Sequence, residues 1–347
     1  MIQYPNNREI ITSAPCRIDA GGTLDIPLFH YTLRHLNPCT FNIALDMRTR
    51  VILRPYISGQ VKITSKGFTD ASFPAENLPF DHPLGLMFAI VSYYRISGVH
   101  IHIESSSPPR SALGGSSTAA VALIAALAHI TDEPVSHNQM AILAYQIESN
   151  VARVSCGIQD HLAAIFGGVN AWHFNALPSE NPFKHEVLQS KTDYAELEKH
   201  ILIAYCGIPH ESKDINGQWV EQFLKGTTRK KWEEIVLQTR KFIKALVNAD
   251  WPAVVSAICS EVEIRLQMTP DVFNDSGKIL LQAAIDNQCA ARFTGAGGGG
   301  CIWAIGDKKQ IDILRAIWLS ILDQYPDALL LHNKIADCGV IIEGDYQ

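Results

Sequence analysis

The sequence predicts a two-domain α+β protein, and three observations carry that expectation. Its 347 residues exceed the roughly 250 to 300 at which a single hydrophobic core stops growing. Strand patterns crowd the first part of the chain, whereas helical patterns dominate the second before short strands return. With 47% hydrophobic and 18% charged residues the chain has a globular rather than a disordered composition. No internal repeat at a fixed period points to a solenoid or propeller.

In chain order, alternating or β-rich runs at Ile10–Ile18, Arg50–Tyr56, Val61–Ser65 and Val99–Glu104 predict strands, the last written VHIHIE. Helical spacing follows over Pro83–Ile96, Ser117–Ile130 and Ser136–Ser149. The third of these opens with Ser136 and Gln139 at the separation of a capping box, in which each side chain serves the other's backbone amide. An apolar strand is expected near Val169–Phe174, then a Pro- and Ser-containing connection (Leu177–Lys191), then a strand in HILIAYCG. Helices are expected over Glu211–Leu224, Lys230–Asn248, Pro252–Met268 and Gly277–Asn287, and strands at Ala290–Thr294, Cys301–Ile305 and Val340–Glu343. The connection divides the chain into units of 1–180 and 190–347, the first mixed α/β and the second an antiparallel sheet with helices.

A formal net charge of −6 and a pI near 6.1 give no electrostatic ground for nucleic acid or an anionic membrane as partner. The first residues, MIQYPNNREIITSAPCRID, contain no basic segment followed by an apolar core, and no run of 18 apolar residues occurs, so a cytoplasmic location is expected. Cys16, Cys39, Cys156, Cys206, Cys259, Cys289, Cys301 and Cys338 are scattered without C-x-x-C or zinc spacing, so most of them are expected to be small buried hydrophobes.

Three segments carry chemistry. The stretch PPRSALGGSSTAA, Pro108–Ala120, sets glycines and short hydroxyl side chains at the entrance of a helix. There the amides of Leu113, Gly114, Gly115, Ser116, Ser117 and Thr118 can face an anion with help from the helix dipole. A plain loop with a Ser or Thr cap is the alternative, and the absence of G-x-x-x-x-G-K-[ST] argues against a Walker-type loop. The second segment, FTGAGGGGC, with Gly295, Gly297, Gly298 and Gly299, satisfies G-x-G-x-x-G. However, it runs into the strand-like CIWAIG, and Leu319 and Ser320 stand where a ribose-binding acid would be sought. It marks a close approach to backbone rather than a dinucleotide fold. In the third, Glu148 ends one helical pattern and Asp160 begins another, which suits a metal ligand and a proton acceptor or, alternatively, a solvated helix end and a cap.

Together these segments resemble the GHMP kinase superfamily of small-molecule kinases. Leu113, Gly114, Ser116 and Ser117 match the family's phosphate loop, with Ala112 and Gly115 departing from the commoner Gly and Ser; APCRIDAGG resembles its N-terminal motif and FTGAGGGGC its C-terminal glycine motif. CGIQDHLAAIFGGVN is most similar to the sugar kinases. The resemblance implies a two-domain GHMP kinase fold with ATP between the phosphate loop and the glycine motif. It also implies direct transfer to a hydroxyl of a small-molecule sugar or sugar phosphate. Asp160 is then the catalytic base and Arg17 stabilises the transferred phosphoryl, while Ser116, or Ser117 in its place, joins Glu148 around Mg2+. Asp25, with Gly22, is the candidate acceptor contact in GGTLDIP, where Leu24 separates Thr23 from the aspartate and leaves the particular sugar undefined. Arg153 and His161 also depart from the family pattern. His30, Tyr31 and His210 are either pocket or scaffold, and Arg110 is a solvated loop charge. An ATP- and sugar-binding sensor without turnover, or a kinase for a non-sugar alcohol, is the alternative, with a decarboxylase of the mevalonate branch below both; oligomeric state leaves no signal in the chain.

Overall fold

The structure, a computed structural model, describes residues 1–151, 155–174, 182–209 and 215–346. Arg153, His210, residues 211–214 of the expected helix and residues 177–181 of the expected connection lie outside the described residues. The first half of the chain forms β1 (Ile2–Gln3), β2 (Glu9–Ala20), α1 (Pro27–Thr32), β3 (Cys39–Pro55), β4 (Gln60–Ser65), β5 (Ala71–Pro74), α2 (Gly85–Tyr94), β6 (Ile96–Ser97), β7 (Val99–Ser105), α3 (Gly115–Ile130), α4 (His137–Val151), α5 (Gln159–Phe166), β8 (Val169–His173) and β9 (Lys184–Val187). The second half continues with α6 (Tyr194–Leu197), β10 (Ile201–Tyr205), α7 (Ile215–Leu224), α8 (Arg229–Val247), α9 (Trp251–Met268), α10 (Asp275–Asp286), β11 (Ala290–Phe293), β12 (Cys301–Ile305), α11 (Lys308–Leu322), β13 (Leu329–Leu331) and β14 (Ile341–Tyr346).

The fold class is as expected, a mixed sheet with helices followed by an antiparallel sheet with helices. The larger sheet runs β14-β2-β3-β7-β4-β5, with β8 and β9 continuing from the free edge of β3. Only β4 and β7 pair in parallel within it. The smaller sheet, β11-β12-β10-β13, is antiparallel throughout. Helix α3 is apolar on all sides, with every residue from Ser117 to Ala128 buried. Such a helix belongs at the centre of a layer, and its small alanines let the sheet approach closely enough for the Thr12 hydroxyl to donate to Ala122 O at 2.7 Å. The expected capping box opens α4: Gln139 N donates to Ser136 Oγ at 3.3 Å, and Ser136 N donates to Gln139 Oε1 at 3.0 Å.

Several boundaries differ from expectation for identifiable reasons. The strand expected from Arg50 is the end of the much longer β3, whose first half alternates Cys39, Phe41, Ile43, Leu45 and Met47 against the core. Helix α3 starts two residues early because Gly114, at φ +79°, turns the chain into it. The last strand belongs not to the smaller sheet but to the larger one, where Ile341 pairs with Ser13. Helix α11 and strands β9 and β13 were not expected at all. No helix among the described residues is long and apolar enough to cross a membrane.

Two hydrophobic cores form, as the length implies. One lies between the larger sheet and α2, α3 and α4; the other fills the space among α8, α9, α10 and the smaller sheet and extends along β2 and β3. Because successive strand residues alternate faces, Cys16, Ile18 and Ala20 enter the second core while Arg17 and Asp19 point the other way. That opposite face meets the cleft between the two halves.

Candidate active site

Alternation along β2 therefore delivers Arg17 to the cleft, and α5 delivers its partner. Asp160 sits in the first turn of α5, where Ile158 rather than the aspartate occupies the cap position. Arg17 Nε and Nη2 each donate to one Asp160 oxygen at 2.7 Å, a bidentate fork that fixes the carboxylate plane. The third guanidinium arm, Nη1, donates to Ala112 O at 2.8 Å and so ties the pair to the glycine- and serine-rich loop. Burial alone would lower the Arg17 pKa, but the carboxylates of Asp160 and Asp19 outweigh it and raise it. Each Asp160 oxygen retains a lone pair beyond the fork, and the side chain remains 23% exposed on the cleft side, so it can take a proton from a bound hydroxyl.

The loop from Pro108 to Gly114 bends through left-handed backbone at Arg110, Ala112 and Gly114. Ala112 holds φ +60° at a position where a side chain costs about 1–2 kcal/mol, a strain typical of ligand-holding loops. The following helix has no side-chain cap, so the amides of its first turn have no partner from within the helix and can meet an anion. Leu113 and Thr118 do not line the cleft, and the Thr118 amide is spent on Gly114 O at 2.9 Å. The Leu113 side chain is buried in the second core, its carbonyl accepts from Arg17 N at 3.1 Å, and the Thr118 hydroxyl turns back to Gly114 O at 2.8 Å.

Glu148 does not end its helix in solvent. It is buried, with Ser116 Oγ donating to Oε1 at 2.9 Å and Ser117 Oγ to Oε2 at 2.7 Å. His161 Nε2 lies 2.7 Å from Oε2. Burial pushes the Glu148 carboxyl up, yet His161 and the two serines together bring it below the usual value. Among the described residues no three His, Cys, Asp or Glu side chains gather as a metal cage. One carboxylate beside two hydroxyls nevertheless suits Mg2+, which takes most of its ligands from water and phosphate.

A further part of the site is built from the GGTLDIP turn and the residues before α5. Asp25 is buried, and Gln159 N donates to its Oδ2 at 2.9 Å. Burial, with a contribution from nearby Asp160, raises the Asp25 pKa to about 6. Gly157 must be glycine here, because a Cβ would stand 1.8 Å from Asp25 Oδ2. Thr23, a β-branched residue at φ +80°, is a backbone outlier of the kind that marks functional turns. Its hydroxyl donates to Asn216 Oδ1 at 3.1 Å. Gly22 lines no part of the cleft but offers its carbonyl to Arg265 Nη2 at 2.6 Å.

The glycine-rich segment closes the cleft from the opposite half by packing. Gly297 N, Gly298 N and Gly300 N donate to Thr294 O, Val272 O and Ile208 O, Gly295 N donates to Asp19 Oδ1 at 2.7 Å, and Cys301 N donates to Ser111 O at 2.9 Å. Its amides are largely committed to protein, so the glycines serve close approach: a Cβ on Gly300 would stand 2.6 Å from Ser111 O. Of this segment Gly295 and Ala296 reach the cleft wall, whereas Gly297, Gly298 and Gly299 lie behind it.

The cleft encloses about 710 Å³. Arg17, Asp25, Ser116, Ser117, Glu148 and Asp160 share its wall with Lys66, Phe68, Leu86 and Met87. The latter four belong to no motif in the sequence. Arg110 is exposed on its loop, as expected of a solvated charge, and also lines the cleft. His30 is buried against the Phe174 ring and burial lowers its pKa to about 4, while the Tyr31 side chain is exposed; neither lines the cleft. Sequence reasoning also missed Asp19, Glu261, Arg265 and Arg292, a fully buried set of charges behind the wall. Two signals for it were present: Asp19 shares the strand face of Arg17, and Glu261 and Arg265 stand four apart on α9.

Residues 84–168, from the start of α2 to the turn before β8, match the GHMP kinases N terminal domain family. The chain is 30% identical over 222 residues to a D-glycero-alpha-D-manno-heptose 7-phosphate kinase of Campylobacter jejuni, an alignment covering 62% of this chain and 64% of that relative. It is 25% identical over 333 residues to a mevalonate kinase of Thermococcus onnurineus, covering 86% of this chain and 90% of the relative. Among solved structures, a D-glycero-D-manno-heptose 1-phosphate kinase from Bacteroides thetaiotaomicron superposes with a TM-score of 0.74 over 97% of this chain and 99% of the other at 18% identity, a likeness of fold.

Proposed function

From the premise that this chain carries the GHMP kinase N-terminal domain within the GHMP kinase fold, we propose that it transfers the γ-phosphoryl of ATP to a hydroxyl of a sugar or sugar phosphate. The observation that supports this most is the Arg17–Asp160 fork standing at the uncapped start of α3, beside Glu148 and its two serines. A proton acceptor, a fixed cation and an anion-binding helix terminus then share one cleft, the set that in-line phosphoryl transfer requires. Residues 1–180 supply these groups, and residues 190–347 supply the glycine segment that closes over them.

In this reading the acceptor oxygen bonds to the γ-phosphorus as the bond to the β-phosphate breaks, and the hydroxyl proton passes to an Asp160 carboxylate oxygen. Arg17 holds that carboxylate in plane and places positive charge where the transferred group accumulates negative charge. The amides of Gly115, Ser116 and Ser117 hold the phosphates, Ser116 or Ser117 with Glu148 holds Mg2+, and Asp25 accepts from an acceptor hydroxyl. Mg2+, when bound, neutralises phosphate charge. Catalysis thus rests on positioning and electrostatics.

A non-sugar alcohol is the second reading, motivated by the similarity to a named mevalonate kinase over 86% of this chain. The test is ADP release from MgATP with galactose, fucose, arabinose, heptose phosphates and mevalonate as acceptors. A sugar or sugar phosphate as the strongest responder supports the proposal, mevalonate supports the second reading, and ATP binding with no turnover across the panel supports a sensor. Asp160→Asn should then abolish turnover, a loss of about 10^3-fold or more, with MgATP affinity retained. Undiminished turnover in that variant would remove Asp160 from the mechanism.

A further inference from the structure

Behind the cleft wall lies a closed set of two carboxylates and two guanidiniums, Asp19, Glu261, Arg265 and Arg292, each at most 1% exposed. Glu261 sits at the centre. Arg265 Nε donates to its Oε1 at 2.5 Å, and Arg292 Nε donates to its Oε2 at 3.1 Å. Arg292 Nη1 reaches across the two halves of the molecule to Asp19, 3.0 Å from its carbonyl oxygen and 3.3 Å from Oδ2. The Arg265 guanidinium is held over the Trp219 and Trp232 rings at 4.7 and 5.0 Å.

Stability is a weak reason for such a set, since buried ion pairs lose in desolvation about what they gain in attraction and are often replaceable by apolar residues. Its outward contacts supply a better one. Asp19 Oδ1 accepts from Gly295 N in the glycine segment at 2.7 Å, and Oδ2 lies 3.4 Å from Nε2 of Gln159, the residue before Asp160. At the other end Arg265 Nη2 donates to Gly22 O at 2.6 Å, at the base of the turn carrying Asp25. Asp19 itself stands two residues from Arg17 on the same strand face. The glycine segment, the base helix and the acceptor turn therefore all terminate on one ionic set.

We infer that Asp19 is a positioning residue: through Arg292, Glu261 and Arg265 its carboxylate sets the glycine segment, Asp160 and the acceptor turn in register with Arg17. The catalytic part of this inference rests on the kinase reading, whereas the coupling of the three segments does not. Asparagine fits the space but fails chemically. Three donors, Gly295 N, Arg292 Nη1 and Gln159 Nε2, converge on the carboxylate, and an amide turns a donor of its own toward one or two of them.

The test combines kinetics with amide exchange on the intact chain. In the native protein, exchange across residues 294–298 is expected to be slow for a glycine-rich loop, since the Gly295 amide is held by a buried carboxylate; exchange at the rate of an unstructured peptide would overturn the proposal. Asp19→Asn should lower kcat by about 10- to 100-fold, as expected for sub-ångström misplacement of reacting groups, with KM for MgATP changed less than about threefold. It should also speed exchange at 294–298 and 22–25 while α8 keeps its native protection. A residue that only stabilises the fold would lower the melting temperature and leave kcat per folded molecule unchanged, and that result refutes positioning. If Asp19→Asn does not fold, Arg292→Lys, which keeps the charge but cannot bridge Asp19 and Glu261, should show the same pattern in smaller measure. If the native protein phosphorylates no acceptor, the kinase reading fails by itself, and exchange alone decides the coupling: unaltered exchange at 22–25 and 294–298 in the variant overturns it.

Discussion

Asp25 is a carboxyl group in surroundings that disfavour its charge. Burial raises its pKa to about 6, against about 3.9 for an unperturbed aspartate. Between those values the folded protein binds the proton more tightly than the unfolded chain does, so this group lowers stability as pH rises through the window, and the loss is complete above about pH 6. Two pH units correspond to about 3 kcal/mol as an order of magnitude. An asparagine in place of this aspartate keeps an oxygen for Gln159 N and carries no charge, so Asp25→Asn should be more stable than the native protein by about 2–3 kcal/mol at pH 8 and by nothing at pH 4. Denaturant unfolding at the two pH values checks this, and a pH-independent difference would contradict it. The same variant should bind the acceptor poorly, a stability cost retained for function. Such a conflict is not readable from sequence: GGTLDIP identified the aspartate, but its burial depends on Gly157 and Gln159, which lie more than a hundred residues away. Arg17 and Asp160 were legible because each sits in a stretch that resembles a family motif; Asp19, in the first of those stretches, has a partner set that only the folded chain brings together.

At the level of elements, helices with strong periodicity were legible to within a residue or two, as for α8 at Arg229–Val247 against an expected Lys230–Asn248, because an amphipathic stripe and its end signals are local. Strand partnership is not local. The first half of β3 carries a clean period of two, yet its partners β2 and β8 are separated from it in sequence, and β14 reaches its place only by crossing back to β2. The turn into α5 shows how such distant contacts fix function. Its Gly157 leaves Asp25 in contact with the start of α5, and a methyl group there would overlap the carboxylate. Gly157→Ala must therefore displace either Asp25 or the helix carrying Asp160. The expected result is a rise in acceptor KM or a fall in kcat amounting together to at least about tenfold, with MgATP affinity unchanged, since Gly114 to Ser117 are untouched. Equal losses in nucleotide and acceptor binding would instead show that the turn supports the whole cleft.

For the molecule as a whole, the decisive feature is that its two cores share strands. Strand β2 gives Ile10 and Ala14 to one core and Cys16, Ile18 and Ala20 to the other, and β3 divides likewise, with Val51 and Leu53 in one and Phe41 and Ile43 in the other. Unfolding either core would strip partners from strands that the other still needs, so the units of 1–180 and 190–347 should not melt independently even though each has its own helices. A chain of this size often unfolds in stages, which makes the expectation discriminating. Five of the six tryptophans, Trp219, Trp232, Trp251, Trp303 and Trp318, lie in or against the second core, so fluorescence reports on that core. Helix α3 belongs to the first, so pulsed amide exchange across it reports on the other. With increasing guanidinium chloride the two curves should share one midpoint. Loss of α3 protection before the fluorescence change would mean that the first core opens alone, and the cleft would then be a junction between separable units rather than a site held rigid by strands running through both.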